Sequence, residues 1–198
     1  MQLAVKSIRP AIVITILFVI LVGLIYPGVV TGLGQLLFPY QANGSLMKVN
    51  GKVIGSDLIG QYWTSPRYFH GRPSATLSDN GSQSQPYNAE NSGASNLGPT
   101  NKTLITTVQQ RVTALQKENP GVPIPADLVT SSGSGLDPDI SPEGAYFQAP
   151  LVARERGLSL NQVNQLIASH TTGRFLGIFG DSYVNVLNLN LALDQLKA

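Results

Sequence analysis

The sequence has no cysteine among its 198 residues, only two histidines and a single tryptophan. Without cysteine there are no disulfide staples and no thiolate metal sites, which agrees with an oxidising exterior compartment. Charge is scarce as well: Asp, Glu, Lys and Arg make up 12% of the chain, and the formal net charge is +2. Nucleic acid binding calls for a basic excess that displaces counterions, and there is none here. The scarcity is greatest near the start, where no charged residue occurs between Arg9 and Lys48.

Apolar residues fill that gap. Ala11 to Ile25 is almost continuously apolar, with Thr15 and Gly23 the only soft positions. Extended through Val30, the run is about 20 residues, enough to span a hydrocarbon core of roughly 30 Å. Pro27 falls in its outer part, where it kinks the helix or lets it end early. A cleaved secretory signal would share the basic flank of Lys6 and Arg9. The run exceeds an h-region, however, and no Ala-x-Ala site follows, so a retained anchor is the expectation. Lys6 and Arg9 account for two of the 13 basic residues, leaving 11 basic against 11 acidic residues after position 40. A positive N-terminal flank and a neutral body place the N-terminus in the cytoplasm and the body outside. The expected organisation is a cytoplasmic tail over 1–9, a transmembrane helix over 10–32, a linker over 33–45 and one extracytoplasmic domain over 46–198. Within the anchor, Gly28 and Gly32 form a small-xxx-small pattern, either a close-packing face for a partner helix or glycine usage common near membrane-helix ends.

In the outer domain, Asn50-Gly51 between two short β-prone runs asks for a two-residue type I′ hairpin. Residues 74–100 are nearly devoid of large apolar side chains, a long polar loop that is either disordered or a functional surface. Thr100 or Asn101 caps a helix with apolar positions at Leu104, Ile105, Val108, Val112 and Leu115, ended by Asn119-Pro120-Gly121. Ser141-Pro142-Glu143 starts another helix, which Pro150 should bend or split. Ser159 and Gln162 pair as a capping box for a third, ended around His170–Arg174. A short apolar run, Phe175 to Phe179, follows, and the stretch from Asn185 to Leu196 reads as a final helix although part of it alternates. The fold class is α+β, helix-rich with a small β-hairpin or sheet behind one transmembrane helix, and no repeat is visible.

Two segments concentrate chemistry. Residues 129–141, VTSSGSGLDPDIS, hold four serines, two glycines and two aspartates. A phosphate-binding P-loop needs Gly-x-x-x-x-Gly-Lys-Ser/Thr, whereas here Leu136 and Asp137 follow the glycine and no base is near. Asp137 and Asp139 are hard carboxylates suited to a cation, without the spacing of an EF-hand. A serine hydrolase would have to recruit His70 or His170, with no Gly-x-Ser-x-Gly. The plainest alternative is a loop whose serine and aspartate oxygens satisfy backbone donors. The second segment, Arg67, Tyr68, Phe69, His70, Gly71 and Arg72, interleaves arginine with aromatics. It reads equally as an interface hot spot or as a core strand with its arginines paired to acids.

The blocks GSDLIGQYW, YFHGRPSAT, SGASNLGPTN, PADLVTSSGSGLDPDISPE, HTTGR and NVLNLNLALD, in that order behind the short anchor, resemble the C-subunit family of bacterial Kdp potassium-transporting P-type ATPases. The resemblance covers nearly the whole chain. It implies a bacterial inner-membrane K⁺ uptake complex with a channel-like subunit, a P-type ATPase subunit and a small single-span subunit as partners. In that complex the C subunit is a non-catalytic accessory needed for assembly and activity. It binds no cofactor covalently, ATP and K⁺ being handled by the complex. A second role implied by the family is that of a catalytic chaperone raising ATP affinity, with SSGSGLD likened to an ABC-transporter signature. That version would place a nucleotide contact at Ser131, Ser132, Gly133, Ser134, Gly135 and Asp137. With the body outside, such an effect has to cross the membrane as a coupling free energy between two states. The accessory reading instead assigns Gly28, Gly32 and the Arg67–Arg72 strip to subunit interfaces, and Asp137 and Asp139 to a cation entrance. An independent membrane-anchored periplasmic hydrolase is the remote third reading.

Overall fold

The computed structural model describes residues 2–196, with side chains from Lys6 onward. Its contacts divide the chain into two units, one ending at Leu46 and the other beginning at Met47. The first unit is an apolar helix built of α1 (Gln2–Ile20), a π turn (Leu21–Ile25) and α2 (Tyr26–Leu37), followed by the short α3 (Pro39–Ala42). Pro27 lacks the N–H that would close a turn onto Gly23. The chain accommodates this with the π turn just before it, where the Tyr26 N–H reaches the Leu21 carbonyl five residues back. The helix therefore neither ends at Pro27 nor at position 32 but continues to Leu37, and the first part of the expected linker is helical. Lys6–Leu37 is long and apolar enough to cross a membrane.

The hairpin of β1 (Leu46–Val49) and β2 (Lys52–Ser56) begins at the boundary and leads into the second unit. Asn50 at φ 51° and Gly51 at φ 78° supply the positive angles a type I′ turn needs, as expected. Residues 57–101 contain no regular element beyond isolated bridges. Three helices and a small sheet form the interior: α5 (Pro142–Arg156), α6 (Leu160–Ser169), α7 (Val186–Gln195), and strands β3 (Asp139–Ile140), β4 (Thr171–Thr172) and β5 (Tyr183–Asn185). The antiparallel sheet runs β3-β5-β4, pairing Ile140 with Val184 and Thr171 with the other side of Val184. Ala145, Ala149, Val152 and Ala153 line one face of α5, and their small side chains let α6 approach with Val163 and Ile167. Leu189 and Leu193 of α7 close the core, so the alternating stretch is a helix whose apolar stripe is buried.

The caps follow the sequence. Asn101 accepts from Thr103 at the start of α4 (Lys102–Glu118), Ser141 from Gly144 at α5, and Ser159 with Gln162 completes a capping box at α6. Of the two outcomes expected at Pro150, splitting does not occur, and α5 runs on through it. The proline lies on the exposed face with Tyr146, whose carbonyl loses its helical partner where water can replace it. The apolar stripe of α4 is only half covered: Leu104, Val108, Val112 and Leu115 are partly buried and Ile105 is exposed.

Candidate functional site

The serine–glycine loop is held by its own side chains. Ser132 is buried and its Oγ accepts from the Gly135 N–H at 2.9 Å. Ser134 Oγ accepts from Leu136, Asp137 Oδ1 from Asp139, and Asp127 Oδ2 from Ser141. The backbone donors of Gly135, Leu136 and Asp139 thus have acceptors inside the loop, as the plainest sequence alternative described. Gly135 sits at φ +68°, and a Cβ there would stand 2.6 Å from Thr76 Cγ2 and 2.7 Å from the Gly93 carbonyl. Glycine is required twice over at this position, by dihedral and by space.

The long polar loop is what presses against Gly135. It is folded by its hydroxyls and amides rather than by apolar burial. Thr76 Oγ1 donates to the Gln85 carbonyl and accepts from the Asn88 N–H, while Asn88 Nδ2 reaches the Leu77 carbonyl and Asp79. Ser74 Oγ donates to the Gly135 carbonyl at 2.7 Å, and Gly93 N–H and Ser92 Oγ both reach the Ser134 carbonyl. Gly60 N–H takes the Leu136 carbonyl from the other side. The serine–glycine loop is therefore a seam on which residues 60, 74–76 and 92–93 converge.

The Arg67–Arg72 strip leaves a turn closed by the Tyr68 N–H on the Ser65 carbonyl and pairs with no strand. Two side-chain amides take the place of a neighbouring strand. Asn190 accepts from the Phe69 N–H at 2.8 Å and donates to the Phe69 carbonyl at 2.9 Å. Gln148 does the same for His70, at 2.8 Å and 3.1 Å. Phe69 is fully buried, so this part of the strip is core, while Arg67 stays exposed. Tyr68 bonds Asp194, Arg156 pairs with Asp194 at 2.7 Å, and the Arg156 guanidinium lies 4.5 Å over the Tyr68 ring. At the other end, Arg72 pairs with Asp137 at 3.0 Å, tying the strip to the serine–glycine loop. The alternative with arginines paired to acids holds at Arg72.

A cleft of about 520 Å³ opens beside that pair, lined by Trp63, His70, Arg72, Tyr87, Arg111 and Gln148 among others. Tyr87 donates to the Arg72 carbonyl at 2.7 Å. Burial, reinforced by Asp137 and opposed by Arg72, pushes its hydroxyl up to about 12. Arg111 reaches the Val129 carbonyl, and burial lowers its pKa. Asp139 lies on the far side of the turn, where Asn185 Nδ2 bridges its Oδ1 and the Asp57 carbonyl. Burial first, then Asp137 and Asp57, raise its carboxyl to about 6 against the Asn185 hydrogen bond.

His70 Nε2 is 3.0 Å from the Ser65 carbonyl and His170 Nδ1 is 2.9 Å from that of Leu166, contacts that place the N–H on those atoms and fix the tautomer of each ring. Among the described residues no three His, Asp or Glu side chains gather as a metal site. Gly28 and Gly32 lie in the other unit, one turn apart on α2, with nothing within 4 Å of where a Cβ would stand. Sequence reasoning missed Ser74, Tyr87, Gln148 and Asn190. Polar residues at core-facing helix positions, Gln148 between Phe147 and Ala149 and Asn190 between Leu189 and Leu191, were the available signal.

The family model described as "K+-transporting ATPase, c chain" matches residues 8–195. The chain belongs to that family. Among its c-chain relatives is the "Potassium-transporting ATPase KdpC subunit" of Rhodopseudomonas palustris strain TIE-1, 54% identical over 194 residues and covering 96% of each chain. A protein of the same name from Bradyrhizobium diazoefficiens is 53% identical over 198 residues, 98% of each chain. One from Methylobacterium nodulans is 52% identical over 196 residues, 96% of this chain and 98% of the relative.

Proposed function

We propose that this chain is a non-catalytic accessory subunit of an ATP-driven, high-affinity K⁺ uptake complex, needed to assemble the channel-like and P-type ATPase subunits and the small single-span subunit. The observation that carries the reading is the end-to-end c-chain match on a chain made of one apolar helix and one folded domain. Lys6–Leu37 crosses the bacterial inner membrane with its N-terminus in the cytoplasm, and Gly28 and Gly32 offer a close-approach face to a neighbouring helix. The domain docks on the outer face of the channel-like subunit through the exposed side of the Arg67–Arg72 strip and the serine–glycine seam. There, Asp137 and Asp139 stand near K⁺ entry, while ATP is bound and hydrolysed elsewhere in the complex.

In this reading Ser131 to Asp137 is a docking surface whose rigidity comes from its internal hydrogen bonds. The catalytic-chaperone alternative makes the same residues a nucleotide contact. The two are separated by K⁺-stimulated ATP hydrolysis in the detergent-purified complex, with and without this chain, titrating both ATP and K⁺. Loss of the complex without the chain supports the assembly role. An intact complex with only a weakened apparent ATP affinity would replace it with the chaperone role. A cysteine at Ser82 that impermeant reagents label in intact spheroplasts would place the domain outside, away from cytosolic ATP.

A further inference from the structure

The most exposed apolar side chains of the second unit are Phe175 at 71%, Leu176 at 74%, Ile178 at 74% and Phe179 at 62%, four in five consecutive residues. They form a tight turn between β4 and β5, bridged antiparallel at Phe175 and Phe179. Such a cluster on a loop tip marks contact with another apolar phase. We propose that this tip inserts into the outer interface of the lipid bilayer as a second, shallow attachment point. The proposal rests on the reading of Lys6–Leu37 as a membrane anchor.

Three observations select lipid as the occupant. First, four of the five backbone N–H groups from Phe175 to Phe179 are bonded within the turn. Phe175 and Phe179 exchange N–H···O bonds at 2.9 Å and 3.0 Å, Gly177 N–H bonds Arg174 and Ile178 N–H bonds Phe175. An apolar medium that offers no hydrogen bonds penalises a loop whose amides are left open, and these four are closed. Second, the charges at its base cancel: Arg174 pairs with Asp181 at 3.0 Å, and Tyr183 beyond them is part-exposed. Paired charge and a phenol suit the headgroup level, beneath which only Phe, Leu, Gly and Ile would enter. Third, the domain is covalently joined to a spanning helix through residues 38–46, so a bilayer is always at hand.

The absence of native cysteine makes the test direct. An environment-sensitive NBD fluorophore is attached to the full chain through Ile178→Cys, and for comparison through Leu58→Cys, an apolar residue 60% exposed, and through Ser82→Cys in the polar loop. The labelled chains are reconstituted in phosphatidylcholine–phosphatidylglycerol vesicles, alone and within the assembled complex. Flotation reports the anchor, doxyl-lipid quenching reports lipid contact, and iodide reports water. The expected result is several-fold stronger doxyl quenching and weaker iodide quenching at 178 than at 58 or 82, in chains that float with the vesicles. Iodide quenching at 178 equal to that at 82 in floating chains overturns the proposal and leaves the anchor standing. Protection from iodide that appears only in the complex, without doxyl quenching, overturns it in favour of a protein partner. Chains that do not float remove the anchor reading, and the proposal with it.

Discussion

Replacing Asn190 by leucine should loosen the whole domain, although only one side-chain amide is lost. Asn190 is fully buried and its side chain bonds both the N–H and the carbonyl of one residue, Phe69. Leucine has similar volume, so the change leaves little cavity and isolates the polar term. Each buried backbone group left without a partner costs about 1–3 kcal/mol, so the pair amounts to roughly 2–6 kcal/mol. Domain stabilities are on the order of 5–15 kcal/mol, so the loss is a large fraction of the whole. The assay is urea unfolding of the full chain in detergent, followed through Trp63, the only tryptophan, whose ring lies 4.7 Å from that of Tyr68 within the same strip. With a slope of about 1–3 kcal/mol per molar urea, the midpoint should fall by on the order of 1–2 M. Asn190→Asp provides an internal check. A neutral carboxyl can still accept from one Phe69 group and donate to the other, whereas an ionised one cannot donate and is buried without a counter-charge. Its folded-state pKa is thereby raised, so its stability should be highest below the ordinary aspartate range and fall as pH rises through the raised value. Asn190→Leu unfolding within about 0.5 kcal/mol of the parent would show that the amide does not stand in for a strand, and the account of the Arg67–Arg72 strip would fail.

Gly135→Ala should destabilise by about 1–2 kcal/mol from its left-handed dihedral alone, and more from the clash with Thr76 and Gly93; thermal unfolding at the parent temperature would contradict this. Asp139, raised to about 6 by burial, should make the domain less stable as pH climbs from 4 to 6, because the folded state holds that proton longer than the unfolded one. Asp139→Asn keeps an acceptor for Asn185 and should flatten that slope in a pH series of urea midpoints. Gly28→Leu and Gly32→Leu should reduce co-purification of the partner subunits without changing the fold; unchanged recovery would remove the close-approach face. Asp137→Asn, which weakens the pair with Arg72, should leave the chain folded and shift the apparent K⁺ affinity of the complex, and an identical affinity would leave that carboxylate a structural role.

What was legible in the sequence was local. The helix caps at Asn101, Ser141 and Ser159 and the Asn50-Gly51 turn each depend on residues within one turn of one another, and each stands where its pattern put it, while the apolar N-terminal helix runs five residues past its expected end to Leu37. At Pro150 the sequence left bending and splitting open, because a proline's effect depends on which face of the helix it occupies. The serine–glycine loop could be read as satisfying its own donors, since those bonds reach only two or three residues along the chain. Its partners could not. Ser74, Gly93 and Gly60 meet it across tens of residues, and nothing in a polar loop's composition says where it will fold back. The strip's amide partners, Gln148 and Asn190, were marked only as polar residues at core-facing helix positions, which does not say what they meet.

The same arrangement sets a timetable for folding. Phe69 is separated by 121 residues from the side chain that satisfies its backbone. At about 5–20 residues per second of synthesis, the strip waits roughly 6–24 seconds with its main chain open before α7 exists to receive it. Pairing across so great a separation also slows the final closure, since loop entropy must be lost before the contact is gained. For those seconds an aromatic segment with unpaired backbone groups is available to any strand edge it meets. The nascent domain is therefore most prone to aggregation in the interval between the emergence of Phe69 and that of Asn190.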